Sequence, residues 1–409
     1  MSYDIDSKES LESFITNNWN KVNQYIDEQS KNLPIPFYTS VDIRESKDKF
    51  APVDNNIYPA GFNNLCQLDL DASGKQFRET INTFGNDIEK IGIIPESNTK
   101  NLFYLDHLAF LSKALMDEGY EVTFLSFDEN LFETSNEVTL LSQSKFEIKI
   151  HKAVINDNIL FAGETQLDFA ILNNDQSNPI KIDWKTIKTP IAPSPSLGWF
   201  KRQKNEHFQE YKTVANQFAE EFSIDPCLLQ ALFLTREGID FSTKEGLEEL
   251  GNTVDELLAK IKTSEDDHRK VFVKASQGTY GMGISVVSSG EEIVSMNRKN
   301  RDKMNIGKNK IKFTSLLVQE GVDSILRYDD MAAEITIYLA GGKPIGGFVR
   351  ANESRAANEN LNSRGMVFRK YCISEIREKN DFQSKEAVYS IIARLSTVAA
   401  AKESIKLNQ

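Results

Sequence analysis

Residues 271–283, Val-Phe-Val-Lys-Ala-Ser-Gln-Gly-Thr-Tyr-Gly-Met-Gly, constrain this chain more than any other stretch. A short apolar run carries Lys274, a loop follows with Gly278, Gly281 and Gly283, and a second apolar run resumes at Ile284. Glycine at this density permits backbone conformations and a closeness of ligand approach that a Cβ would forbid. A loop rich in free N–H groups, with a lysine at its base, suits a polyphosphate. The lysine precedes the glycines and no Gly-Lys-Ser/Thr follows them, so this is not a Walker A loop. It also lacks the following helix and the acid about twenty residues on that a dinucleotide site would need. A plain glycine-rich hairpin with an incidental lysine accounts for the same residues equally well.

A chain of 409 residues can bury full cores and gives a prior of about two to three domains. Its formal net charge of -12 argues against nonspecific binding to nucleic acid or an anionic membrane, although a cleft can be locally basic. Cys66, Cys227 and Cys372 are widely separated and fit neither a disulfide framework nor a zinc pattern, which points to a reducing cytoplasm. The acidic, polar start Met-Ser-Tyr-Asp-Ile-Asp is no signal peptide. No apolar run approaches the roughly 20 residues that span a bilayer.

Along the chain, Leu11, Phe14, Ile15, Trp19, Val22 and Ile26 predict one amphipathic helix closed by Pro34. Residues 36–44 read as a strand with Asp42 and Arg44, and Asp54-Asn55-Asn56 follows twelve residues after Asp42. Asp54 and Asn56 share one side of an extended chain. With Asp42 they would offer Mg²⁺ the hard oxygen ligands it prefers, or they form an Asx-turn cluster beside the turn Pro59-Ala60-Gly61. From Ile91 the pattern is βαβ: a strand, a polar loop at residues 96–101, a helix to Gly119, and a strand over 120–127. A second strand runs into the polar residues Asn173-Asn174-Asp175. Ligands in open α/β sheets sit beyond the carboxyl ends of strands, so these two loops share a candidate cleft. Pro190, Pro193 and Pro195 mark a domain boundary, followed by the basic cluster Lys201-Arg202-Gln203-Lys204. A helix over 208–222, a strand over 228–234 and a helix over 254–261 lead to the glycine loop. Beyond it come the strand over 316–322, a hairpin over 333–350 turning at Gly341-Gly342, and a helix over about 385–401.

Taken in order, Lys204, Lys274 with its glycine loop, Gln319-Glu320-Gly321-Val322, Arg350 and Asn360-Leu361 resemble an ATP-grasp ligase. The phrases Ser40-Val41-Asp42-Ile43-Arg44, Ala51-Pro52-Val53-Asp54-Asn55-Asn56, Pro59-Ala60-Gly61-Phe62-Asn63-Asn64, Ile94-Pro95-Glu96 and Gly198-Trp199 are similar to the proteobacterial-type glutamate–cysteine ligase family. In ordinary ATP-grasp enzymes the Mg²⁺ acids follow the Asn-Leu loop, whereas here Lys370 is followed by a short connector and a helix. The fold class expected is therefore α/β and α+β: a circularly permuted ATP-grasp with an N-terminal βαβ, pre-ATP-grasp-like substrate-binding domain. Its expected divisions are a helix over 1–35, strands completing the metal site over 36–85, the βαβ domain over 86–195 and the ATP-grasp domain over 196–409.

The resemblance implies a cytoplasmic ligase using ATP and Mg²⁺ to form γ-glutamylcysteine from L-glutamate and L-cysteine through an acyl phosphate, the first step of glutathione biosynthesis. It implies small-molecule substrates, no nucleic-acid or membrane partner, and allows a homo-oligomer. Carried onto this sequence, the nucleotide would meet Lys204, Lys274, Gly278, Thr279, Gly281, Gly283, Gln319, Glu320 and Val322. Mg²⁺ would be held by Asp42, Asp54 and Asn56, with Glu334 as the competing metal ligand. Arg350 would stabilise the acyl phosphate, and Glu96, Asn101, Asn174, Arg202 and Asn360 would contact the amino acids. Other readings are a glutathione synthetase or dipeptide ligase, a nucleotide-binding regulatory protein without turnover, and a structural α/β scaffold.

Overall fold

The computed structural model describes residues 3–97, 101–240, 243–261, 269–276, 284–298, 300–301, 315–363, 365–378 and 384–408. The glycine-loop residues Gly278, Thr279, Gly281 and Gly283 lie outside the described residues. Among the described residues, three sheets organise the fold. The central one is antiparallel and runs in the order Met366–Tyr371, Lys343–Asn352, Met331–Ala340, Tyr38–Glu45, Phe50–Asn56, with Arg327–Tyr328 added on Met331–Ala340. The Tyr38–Glu45 strand thus sits between the C-terminal hairpin and its own sequence neighbour. Asp42 pairs with Thr336 on one side and Asp54 on the other.

Side-chain alternation gives this sheet two different faces. Val41, Ile43, Ile335 and Ile337 point to one core, shared with the helices Lys8–Asn17, Trp19–Ser30, Lys204–Glu221 and Ser384–Asn408. The last of these is buried on every side from Glu386 to Ala401, with Val388, Ile391, Ile392, Leu395 and Val398 among the buried residues. The helix thus lies inside, and each of these side chains contributes roughly 1.5–3 kcal/mol by leaving water. Its position behind the strands Tyr38–Glu45 and Phe50–Asn56 leaves the opposite face to polar groups.

An eight-stranded mixed sheet carries the βαβ unit, with Phe169–Asn173, Lys90–Pro95 and Glu121–Ser126 parallel and adjacent. Helix Leu102–Met116 makes the crossover and is capped by the Asn101 side chain. A four-stranded antiparallel sheet has the order Phe233–Glu237, Ser315–Glu320, Val271–Ala275, Ile284–Val287. Val271–Ala275 and Ile284–Val287 pair directly, as the reading of two apolar runs flanking the loop requires.

Several expectations change. The N-terminal helix is two helices broken at Asn18, whose side-chain amide donates to Phe14 O at 2.9 Å. That local bond competes with continuation of the helix. The strand expected over 228–234 starts later, at Phe233, because Asp225-Pro226 opens a short 3₁₀ turn. Helix Gln67–Asn82 and strand Met366–Tyr371 were not foreseen. The Gly341-Gly342 turn holds: φ is 52° and 78°, both positive, as a two-residue hairpin of this twist demands. Among the described residues no helix is long and apolar enough to cross a membrane.

The cysteines also require correction. Cys66 and Cys372, 306 residues apart in sequence, form a disulfide, and only Cys227 is free. Spacing could not show this, because the pairing depends on helix Gln67–Asn82 packing beside helix Ile373–Glu378. Closing so long a loop should stabilise the oxidised protein by about 2–4 kcal/mol. Dithiothreitol or Cys372→Ala is therefore expected to lower the thermal midpoint by several degrees, while Cys227→Ala leaves it within about a degree. An unchanged midpoint on reduction would show that the crosslink contributes nothing.

Candidate active site

The polar face of the central sheet brings three carboxylates together on three adjacent strands: Asp54, Asp42 and Glu334. Arg350 pairs across from Glu334 and completes the row. Its Nε donates to Glu334 Oε1 at 2.9 Å, and its terminal nitrogen reaches Asp42 Oδ2. Thr336 donates to Asp42 Oδ1 at 2.7 Å. Arg44 binds the other Glu334 oxygen at 2.7 Å and also donates to the carbonyls of Val322, Ala357 and Glu359.

Two lysines arrive from other elements. Lys204, at the start of helix Lys204–Glu221, donates to Asp54 Oδ1 at 2.5 Å. Lys274, from the four-stranded sheet, crosses to Val53 O at 3.0 Å and, within its own sheet, donates to Gln319 Oε1 at 2.7 Å. The acid row therefore faces the four-stranded sheet. Lys274 and Arg44 each approach the Phe272 ring at 5.4 Å. Buried in this region, Gln319 Nε2 and Asn205 Oδ1 have no hydrogen-bond partner among the described residues.

Electrostatics separate the three acids. Burial pushes the Asp42 carboxyl up; Arg350 pulls it down, but Glu334 and Asp54 push it up again, and it ends above the ordinary range. Burial acts the same way on Asp54, yet Lys204 and Lys274 outweigh it and hold that carboxyl low. Glu334 is likewise held low, because Arg44 and Arg350 outweigh its burial. Lys274 is pushed down to about 7 by burial and by the Lys204 charge, with Asp54 offsetting part of the shift. Hard oxygens beside lysine side chains form a donor set that suits a divalent cation and phosphate oxygens.

The remaining predicted residues fall into two groups. Glu320 accepts two bonds from Lys49, at 2.8 and 2.9 Å, and one from Leu232 N at 2.7 Å. Asn56 Oδ1 accepts from Tyr58 N at 3.1 Å, an Asx turn, and Asn360 Oδ1 accepts from Asn362 N at 3.0 Å. Val322 is buried and its carbonyl receives Arg44. Arg202 is 1% exposed and donates to Asn55 and Glu403. Glu96, Asn101 and Asn174 gather instead at the carboxyl ends of the βαβ strands. There Glu96 Oε1 accepts from Asp175 N at 2.6 Å, and Asn174 Nδ2 donates to Pro95 O at 3.1 Å. Asn101 Oδ1 caps helix Leu102–Met116.

Thr336, Lys49, Asn55, Glu403 and Arg44 join the site although the sequence assigns them no role there. A charge such as Glu334 inside the apolar run Met331–Ala340 is a usable signal, since such residues are rarely buried without a partner. Arg44 shares a strand face with Asp42 and could have been found by alternation. Glu403 and Asn55 carry no such mark.

The family model for glutamate-cysteine ligase matches residues 12–404. The chain belongs to the glutamate-cysteine ligase family. It is an enzyme, a glutamate–cysteine ligase. A Methylobacillus flagellatus KT protein assigned as a gamma-glutamylcysteine synthetase, solved at 1.90 Å, is 30% identical with a TM-score of 0.85. That match covers 97% of this chain and 96% of the other. A glutathione synthetase-like effector from Globodera pallida aligns over 89% of this chain and 84% of its own, at 11% identity and a TM-score of 0.42, a likeness too slight to bear on the ligase site. No curated protein matches significantly.

The Lys274 shift has a testable sign. The folded amine releases its proton near pH 7 and the unfolded one near 10.5. Between these values the unfolded chain binds more protons, so stability rises with pH; below about 7 the contribution is constant. In urea unfolding, the stability of the native protein relative to Lys274→Met should rise between pH 7 and 10 by up to about 1.4 kcal/mol per pH unit. A pH-independent difference would contradict the shifted amine.

Proposed function

We propose that this ligase joins the γ-carboxylate of L-glutamate to the amine of L-cysteine with ATP and Mg²⁺, giving γ-glutamylcysteine for glutathione synthesis. The observation that carries the ATP- and metal-dependent reading is the row Asp54–Asp42–Glu334 on three adjacent strands, met by Lys204 and Lys274 from two other elements. Gln319 Nε2 and Asn205 Oδ1, which have no partner among the described residues, fit a polar ligand beside the lysines, since buried polar atoms are seldom left unpaired.

Asp42 and Asp54, completed by Asn56 or Glu334, would hold Mg²⁺. When bound, the ion would neutralise charge on the phosphates. Lys204 and Lys274 would exchange their contacts with Asp54 and the Val53 carbonyl for phosphate oxygens. Phosphoryl transfer from ATP to the glutamate γ-carboxylate would give an acyl phosphate; attack by the cysteine nitrogen then forms the amide and releases phosphate. Such chemistry depends chiefly on positioning and charge compensation. Arg350, gripped by Asp42 and Glu334, is aligned to stabilise developing negative charge on the reacting carboxylate. The strand Ser315–Glu320 and Val322 would border the adenine. Glu320, with both oxygens engaged, would act by holding that edge through Lys49 and Leu232. Glu96 and Asn174 are proposed for the amino acids, with Asn101 and Asn360 shaping the adjoining loops.

A circularly permuted ATP-grasp arrangement agrees with the strand order, because Tyr38–Glu45 and Phe50–Asn56 supply acids beside Met331–Ala340.

Phosphate release should be measured with ATP, Mg²⁺ and glutamate, plus cysteine, 2-aminobutyrate or glycine. Turnover is expected to need glutamate together with cysteine or 2-aminobutyrate. Turnover with γ-glutamylcysteine plus glycine instead would overturn the assignment in favour of a glutathione synthetase. Asp42→Asn and Asp54→Asn should each reduce kcat by more than the roughly 100-fold typical of outer-shell residues, with thermal unfolding little changed. Near-normal kcat in either variant would remove that residue from the metal site.

A further inference from the structure

Behind the acid row lies a closed ring of buried polar groups that the reaction does not itself require. Arg202 gives two terminal nitrogens to Asn55, one to its backbone oxygen and one to Oδ1, both at 2.9 Å. Its Nε donates to Glu403 Oε1 at 2.9 Å. The other Glu403 oxygen meets His207 Nδ1 at 3.2 Å, and His207 Nε2 meets Ser396 Oγ at 3.2 Å. Asn55 Nδ2 then donates to the same Ser396 Oγ at 3.1 Å, closing the ring. All five residues are buried.

Two attachments make the ring more than a core network. Asn55 directly follows Asp54, and strand alternation puts its side chain on the opposite face of the sheet. Gripping both the backbone and the side chain of Asn55 therefore fixes the height and tilt of the strand at Asp54. Arg202 lies two residues before Lys204, and the Trp199 ring lies 5.0 Å from both cationic groups. One guanidinium thus ties the segment that carries Lys204 to the strand that carries its partner, Asp54. A planar fork with fixed donor geometry can do this, whereas a lysine, which is a point charge on a flexible stem, cannot.

We propose that Arg202, anchored by Glu403 and acting through Asn55, is a positioning residue that sets Asp54 against Lys204. This role differs from the expected contact of Arg202 with an amino-acid substrate, and it rests on the reading of Asp54 as a metal ligand. Outer-shell groups that orient ligands are worth about 10–100-fold in metal affinity or activity.

The test uses the full-length protein with Mn²⁺ as the probe ion, titrated in the presence of a non-hydrolysable ATP analogue so that no turnover is involved. Arg202→Lys and Asn55→Ala are each expected to weaken Mn²⁺ binding by about 10–100-fold. The double variant should be little worse than the weaker single one, because both act through the same contact. In steady-state assays kcat should fall while the KM values for glutamate and cysteine stay unchanged. A raised amino-acid KM with normal Mn²⁺ binding would make Arg202 a substrate contact. A lower thermal midpoint with normal Mn²⁺ binding and kcat would make it purely structural, and multiplicative losses would break the link to Asn55; each outcome overturns the proposal. Should Arg202→Lys fail to fold, Glu403→Gln, which keeps the guanidinium but loosens its anchor, carries the same comparison. Asp54→Asn in the same titration separates the two claims. Normal Mn²⁺ binding by that variant removes the metal reading and the positioning role with it. Weakened binding there, together with normal binding by Arg202→Lys, removes only the positioning role.

Discussion

Three carboxylates on neighbouring strands are an unstable arrangement unless cations surround them, and the rest of the site follows from that constraint. Asp42 and Asp54 are directly paired across their strands, and such neighbours stand about 5 Å apart, where two like charges repel by roughly 3 kcal/mol at an effective dielectric near 20. The chain answers with Arg350 between Asp42 and Glu334, Arg44 on the far side of Glu334, and Lys204 on Asp54. Arg44 and Arg350 are buried and share the sheet with the acids, so they act as a fixed frame. Lys204 and Lys274 come from outside it, as ammonium groups on four-carbon stems.

The same division of labour appears in the acids themselves. Glu334 is gripped on both oxygens by arginines, and Asp54 is held by a lysine that can be displaced. Asp42, between them, is held by Arg350 and Thr336 and carries the raised carboxyl of the three. Burial and the surrounding cations thus act unequally on three neighbouring carboxyls, raising Asp42 and lowering Asp54 and Glu334. Opposite, the apolar face packs on helix Ser384–Asn408, which also supplies Ser396 and Glu403 to the buried ring behind Asp54. The C-terminal helix is thus both core and scaffold for the site.

Much of this was legible before the fold was known. The βαβ unit, the Gly341-Gly342 hairpin and the strands around Lys274 follow from apolar periodicity and turn chemistry, which are local properties. Asp42, Asp54, Lys204, Lys274 and Arg350 were named from the order of short phrases along the chain, and the structure brings them together. Less visible were residues whose meaning depends on what lies across from them. Asn55 and Glu403 look like ordinary polar positions until Arg202 joins them. Cys66 and Cys372 look unrelated until two helices meet.

The sequence alone determined the periodicities, the turn positions and the chemical types available: Asp54 and Asn56 spaced for one strand face, a lysine on the strand before the glycines, and the basic cluster at Lys204. Only the tertiary structure decided which strand neighbours which. Inserting Tyr38–Glu45 between Met331–Ala340 and Phe50–Asn56 places Asp42 beside Thr336 and Asp54, nearly 300 residues apart in the first case. The physical reason is that β-pairing is made by interchangeable backbone groups. The chain's local pattern fixes which side chains share a face, while burial of that face against the helices selects the partner strand and its register.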